Sequence, residues 1–294
     1  MKNSADHFQR IGLVGNTGKP ACAAIVRLAA RLIQRTGRTV LCDELTGHLA
    51  KLKCEMHPDA AALARDVDLL LVFGGDGTML HAARQIAGSK TPILGVNIGS
   101  LGFLTAVPSD KIAEALKHVW AGEYKFESRA LIEATGFCHK KKIRELALND
   151  IVITRGAVTR LIALDVSVNG ELITRYRCDG LIVSSPTGST AYSLAAGGAV
   201  VLPTADVFAL TPICPHALSN RSIILPLSAT IRVKAINTQP AAFLNADGQI
   251  VGELDASDEI TIRRSRHSVR LMRLAHGSFL EAMRRKLHWR GTYL

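Results

Sequence analysis

The chain has 294 residues, 48% of them hydrophobic and 21% charged, which fits one large or two ordinary globular domains and excludes a disordered chain. The longest clean apolar run near any strand, residues 69–73, is far short of the roughly 20 residues that span a bilayer. Residues 1–10 lack the apolar core of a signal peptide, so the expectation is a cytoplasmic protein with no membrane partner.

The formal charge of +11 favours anionic partners. Aromatics are only 5%, and no recognition motif or basic–aromatic stripe appears, which argues against nucleic acid. Cys22, Cys42, Cys54, Cys138, Cys178 and Cys214 are irregularly spaced with no C-x-x-C pair. They read as reduced thiols, with no zinc or other metal site.

In chain order, residues 11–15, 39–42, 69–73 and 93–96 read as short buried strands. Between them, residues 20–36 place Ile25, Leu28, Ala29, Leu32 and Ile33 on one helical face, with Pro20 in the first turn. Helices are also expected at residues 79–87 and 110–120. Strands alternating with helices predict an α/β domain around a parallel sheet. After about residue 126 the texture becomes mostly β, with strands near 146–154, 161–168, 171–176, 180–183, 223–226, 230–235 and 241–245. Asn169–Gly170 is a strong hairpin signal, and Asp247–Gly248 is a second candidate. Two strands near 259–263 and 268–273 and a basic helix near 278–287 close the chain.

The sharpest local feature is Gly74–Gly75–Asp76–Gly77–Thr78, between an apolar strand and a helix. Glycines let a backbone approach a ligand, and amides at a helix start suit phosphate. An aspartate beside phosphate makes sense where it holds a cation or takes a proton. A tight turn with an Asp cap is the structural alternative. Gly12, Gly15 and Gly18 with Lys19 imitate a phosphate loop, but the spacing is wrong and Pro20 replaces its Ser/Thr. The segment from Asp179–Gly180 through Ser184, Ser185, Pro186, Thr187, Gly188, Ser189, Thr190, Ala191 and Tyr192 opens a buried strand into a run of hydroxyls able to bond a ribose. Asn149–Asp150 interrupts an otherwise apolar strand. It marks a strand end, a bulge or a polar ligand.

Together these three motifs resemble the ordered signatures of NAD kinases. Smaller echoes occur at Gly15–Asn16, Lys19–Pro20, Asn97–Ile98–Gly99, Leu101–Gly102–Phe103–Leu104, Pro215–His216, Leu218–Ser219, Arg221 and Leu287–His288–Trp289. The first motif is shared with diacylglycerol-type lipid kinases and phosphofructokinases, whereas the second is close to diagnostic. The resemblance covers nearly the whole chain. It implies transfer of the γ-phosphoryl group of ATP to the 2′-hydroxyl of the adenosine ribose of NAD, giving NADP, with Mg²⁺ accompanying ATP.

The resemblance further implies an N-terminal α/β domain (1–125), a β-rich NAD-binding domain (126–253) and a tail (254–294) that packs back on the first. A homo-oligomer is expected, with the dinucleotide held between domains. Carried over by position, the proton acceptor falls on Asp76 and the ATP phosphate contacts on Gly74, Gly75, Gly77 and Thr78. The NAD contacts fall on Asp76, Gly77, His81, Asn149, Asp150, Arg160, Arg177, Asp179, Thr190, Ala191, Tyr192, Ser193, Leu194, Ala195 and Gln249. The family usually has Asn-Glu where this chain has Asn149–Asp150, which keeps the carboxylate but shortens it by one methylene.

Overall fold

The computed structural model describes residues 8–99, 102–156, 160–217, 219–236, 241–256, 258–274 and 278–289. Of the motif residues, Leu101 and Leu218 lie outside them. The chain forms two compact units, one of Met1–Ser128 with Val269–Leu294 and one of Arg129–Ser268. No described helix is long and apolar enough to cross a membrane.

The first unit runs β1 (Arg10–Gly15), α1 (Ala21–Gln34), β2 (Thr39–Asp43), α2 (Glu44–Ala50), β3 (Glu55–His57), α3 (Ala60–Asp66), β4 (Leu69–Gly74), α4 (Asp76–Gln85), β5 (Ile93–Asn97), β6 (Val107–Pro108) and α5 (Ile112–Ala121). Its parallel strands lie in the order β5-β4-β1-β2-β3. All six residues of β4 are buried, as a central parallel strand with both faces covered requires. Ile11, Leu13, Leu71 and Phe73 pack with Val26 and Ile33 of α1 in one core. Asp43 and Asp59 cap α2 and α3 through their carboxylates. Both helices escape the sequence reading because each is only seven residues long, too short to show periodicity.

A long strand, β7 (Tyr124–Cys138), leads into the second unit. There follow β8 (Lys141–Ala147), β9 (Asp150–Arg155), β10 (Ile162–Val168), β11 (Glu171–Cys178), β12 (Gly180–Ser184), α6 (Tyr192–Ala195), β13 (Val207–Ile213), β14 (Ile223–Pro226), β15 (Ile231–Ala235), β16 (Ala242–Ala246) and β17 (Gln249–Leu254). The chain closes with β18 (Glu259–Leu274) and α7 (Phe279–Lys286). Among the described residues, an antiparallel sheet takes the order β14-β13-β12-β9-β16-β17. A second face of the unit pairs β11-β10-β15-β18, all antiparallel. In β15, Ile231, Val233 and Ala235 are buried while Arg232 and Lys234 are exposed, the alternation of a half-buried strand.

Both hairpin expectations hold. Asn169 and Gly170 have φ of 52° and 91°, and Asp247 and Gly248 have 48° and 77°, the doubly left-handed pair of a type I′ turn. The terminal region differs from expectation: in place of two strands, β18 runs unbroken over 16 residues. The strand expected at residues 146–154 is instead two, β8 and β9, which part at Leu148 and Asn149.

Candidate functional site

Helix α4 begins earlier than its apolar pattern suggests, at Asp76 with Gly75 as its cap. Asp76 therefore sits in the first turn, where amides lack partners within the helix and the dipole end is positive. Its carboxylate accepts from the Phe103 amide at 2.8 Å (Oδ2) and the Leu104 amide at 3.1 Å (Oδ1). Gly102 packs against that carboxylate so closely that an added Cβ would fall on it. Neither bond could be read from the sequence, because 27 and 28 residues separate the partners; the Gly102–Phe103–Leu104 echo was the only signal.

The glycines of the loop play different parts. A Cβ on Gly74 would collide with Thr78, whose Oγ1 accepts from Asn16 Nδ2 at 3.0 Å. Cβ atoms on Gly75 or Gly77 would meet nothing within 4 Å. Gly75 also has an ordinary φ of −113°, so neither packing in the unit nor backbone conformation explains its lack of a side chain. His81 is exposed one turn further along α4. The loop that imitates a phosphate site is structural. Lys19 Nζ donates to the Ile98 carbonyl at 2.7 Å, and Gly12 lies in β1 against Leu70 and Val67.

In the second unit the structure brings two separate motifs into contact. Ser185 N donates to the Asn149 carbonyl at 2.8 Å, and Ser185 Oγ donates to the Leu148 carbonyl at 2.5 Å. The missing side chain of Gly188 leaves room for the Asn149 backbone. The break between β8 and β9 is held by Asp247, whose carboxylate accepts from the amides of Leu148 (3.0 Å), Asn149 (2.8 Å) and Asp150 (3.3 Å). Sequence reading saw Asp247 only as a turn residue. Among the described residues the Asn149 side-chain amide has no protein partner, and it is half-exposed. Asp150 is 4% exposed. Burial, reinforced by the nearby Asp247 carboxylate, pushes its pKa up to about 7.

The hydroxyl-rich run is mainly a folding device. Ser184, Ser185, Ser189 and Ser193 are fully buried. Ser189 Oγ bridges the Pro186 and Val201 carbonyls, and Ser193 pairs with Thr211. Thr190, Ala191 and Leu194 are half-exposed, while Tyr192 and Ala195 are exposed. Asp179 pairs with Arg155, Nε to Oδ1 at 2.6 Å. Arg177 is exposed at the end of β11, and exposed Arg160 precedes Ile162, which pairs with Cys178. Arg160, Arg177 and Asp179 thus gather at one end of β12, and Asn149 and Asp150 at its other end, about 13 Å away along the strand. Gln249 is exposed at the start of β17, two residues past Asp247.

The ATP-NAD kinase N-terminal domain family matches residues 11–124, and the ATP-NAD kinase C-terminal domain family matches residues 148–274. The NAD kinase of Methylibium petroleiphilum is 37% identical over 293 residues, covering 97% of this chain and 96% of that protein. The NAD kinase of Moorella thermoacetica is 40% identical over 285 residues, covering 97% and 91%. Among solved structures, yeast NADH kinase in complex with NADH has a TM-score of 0.89 at 26% identity, covering 98% of this chain and 90% of that one. An NAD kinase from Archaeoglobus fulgidus in complex with ATP has a TM-score of 0.73 at 26% identity, covering 96% and 100%. With both halves matched and relatives this similar along their whole length, the chain belongs to the ATP-NAD kinase family and transfers the γ-phosphoryl group of ATP to the 2′-hydroxyl of the adenosine ribose of NAD.

Proposed function

We propose that Asp76 orients the 2′-hydroxyl of NAD and accepts its proton, while the first turn of α4 and the open sides of Gly75 and Gly77 receive the phosphates of ATP. The observation that carries this reading is the anchoring of Asp76. Two backbone amides fix its carboxylate, and an ionised carboxylate has lone pairs left for a hydroxyl. Positioning and charge stabilisation supply most of the catalysis in phosphoryl transfer.

A divalent cation, magnesium in this proposal, arrives on the nucleotide and offsets the phosphate charge. Among the described residues no group of three or more His, Cys, Asp or Glu could hold a metal, so the fit is to a cation carried by ATP and not to a cage built by the chain. The NAD contacts proposed are Gly77, His81, Asn149, Asp150, Arg160, Arg177, Asp179, Thr190, Ala191, Tyr192, Leu194, Ala195 and Gln249; Ser193, expected among them from sequence, is instead fully buried and bonded to Thr211. With its pKa near 7, Asp150 both accepts and, when protonated, donates a hydrogen bond at neutral pH. A cytoplasmic homo-oligomer is the proposed assembly. Leu172 and Ile250, 61% and 73% exposed, offer apolar surface for a second copy, and light scattering on the purified protein checks it.

The deciding experiment incubates the protein with ATP–Mg²⁺ and NAD or NADH and identifies the product. Phosphorylation of a lipid or sugar phosphate in place of either dinucleotide defeats the reading. Asp76→Asn should lower kcat by about 10²–10⁴-fold and leave NAD binding nearly unchanged. Retention of more than roughly a tenth of wild-type kcat, about 1.4 kcal/mol, removes Asp76 as the base.

A further inference from the structure

Away from the glycine loop, the first unit holds a second reactive cluster. Cys42 in β2 and Cys54, one residue before β3, have their Sγ atoms 3.3 Å apart. Strands β2 and β3 run parallel with Cys42 beside Met56, which puts Cys54, two residues earlier, on the same face. Cys42 is buried and Cys54 is partly accessible. A hydrogen bond from the Cys42 thiol stabilises the Cys54 thiolate and holds Cys54 below the usual thiol range. The same bond, with burial, pushes Cys42 up. An accessible, polarised thiol beside a buried one is the arrangement of an attacking and a resolving cysteine.

The surroundings select the partner. A cavity of about 270 Å³ opens at Cys54, lined by Arg27, Arg31, Lys51 and Lys53, all exposed. Glu55, the adjacent carboxylate, disfavours the thiolate, but it is engaged by Arg10 at 3.7 Å. The cavity therefore presents positive charge to a small anion.

We propose that Cys42 and Cys54 form a dithiol–disulfide site that reacts with an anionic, low-molecular-weight disulfide docked in this basic cavity. The Cys54 thiolate attacks one sulfur of the disulfide RSSR, forming Cys54–S–S–R and expelling RS⁻. Cys42 then loses its thiol proton, its sulfur attacks the Cys54 sulfur, and the second RS⁻ leaves. The protein gives up two electrons and two protons, and RSSR becomes two RSH. Bond formation draws the sulfurs from 3.3 Å to about 2.05 Å. The site does not depend on the roles given to Asp76 or the NAD contacts.

The test treats the reduced full-length protein with oxidised glutathione (anionic), hydroxyethyl disulfide (neutral) or cystamine (cationic), followed by alkylation and peptide mapping. Rates are normalised to the reaction of each reagent with a free small thiol. A Cys42–Cys54 cross-link should form about tenfold faster with oxidised glutathione than with hydroxyethyl disulfide, and slowest with cystamine. Raising ionic strength to about 0.5 M should erase the preference in the wild type. Arg31→Glu with Lys53→Glu should remove it without slowing the neutral reagent. Cys42→Ser should trap a mixed disulfide on Cys54. Oxidation at exposed Cys214 with Cys54 untouched, or equal normalised rates for the three reagents, overturns the proposal.

Discussion

At the scale of single residues, Asp76 and Asp150 show two environments making different use of one side chain. Asp76 is oriented by the amides of Phe103 and Leu104, and Gly102 is the residue whose lack of a Cβ permits it. In Gly102→Ala the new methyl group meets the end of a side chain, so the fold should survive while Asp76 swings away. The expected result is a fall in kcat of at least about tenfold, or 1.4 kcal/mol, with an unchanged melting temperature. Steady-state kinetics beside thermal unfolding checks it, and an unaltered kcat would show that the position of Asp76 does not matter.

Asp150 is buried with its pKa raised to about 7, against roughly 3.9 in an unfolded chain. The folded state therefore binds this proton more tightly. Its stabilising contribution is complete below pH ~4 and is lost as pH rises through about 7. The gap corresponds to about 4 kcal/mol. Asp150→Asn should raise KM for NAD while making the protein less sensitive to alkali, gaining most over wild type near pH 8. Parallel pH profiles of melting temperature for the two proteins would contradict this.

At the scale of elements, the β16–β17 turn does two jobs at once. Asp247 adopts a left-handed conformation, and its carboxylate collects three amides at the break between β8 and β9. Asp247→Ala loses the acceptor and strains the turn. Charge-assisted hydrogen bonds contribute about 1.5–3 kcal/mol and a left-handed non-glycine residue costs about 1–2, so a loss of about 3 kcal/mol is expected in urea unfolding. Asp247→Asn keeps the turn and should lose less. It should also lower the pKa of Asp150, since one carboxylate neighbour is gone. Equal destabilisation by Ala and Asn would assign the whole effect to the charge.

At the scale of the whole molecule, the first unit takes segments from both ends of the chain. Leu271 pairs with Ile93 of β5, and Val269, Leu271 and Met272 are each 1% exposed. Arg273 ties in further, donating to the Phe103 carbonyl at 2.7 Å and facing Glu127 at 3.4 Å. Burying three such apolar side chains contributes about 4–9 kcal/mol in total, against a typical domain stability of about 5–15. Removal of residues 269–294 should therefore unfold the first unit and abolish ATP binding. Hydrogen exchange should still find protected amides in β9, β12 and β16. A truncated chain that melts like the full one would refute this.

The sequence by itself determined the class of each half, because hydrophobic period is a local property. Residues 69–73 and the alternation through β15 and β16 were legible, as were the type I′ turns at Asn169–Gly170 and Asp247–Gly248, whose backbone demands particular residues. It also marked the Gly74–Thr78 loop, Asn149–Asp150 and the run after Asp179 as exceptional. The tertiary structure decided what those residues touch. It showed that Ser184, Ser185, Ser189 and Ser193 are buried structural hydroxyls, that Asp247 holds the strand break, that Phe103 and Leu104 aim Asp76, and that Cys42 meets Cys54. Each of these contacts joins residues from different elements. Such pairs are set by strand order and packing, and a periodicity read a few residues at a time carries no information about them.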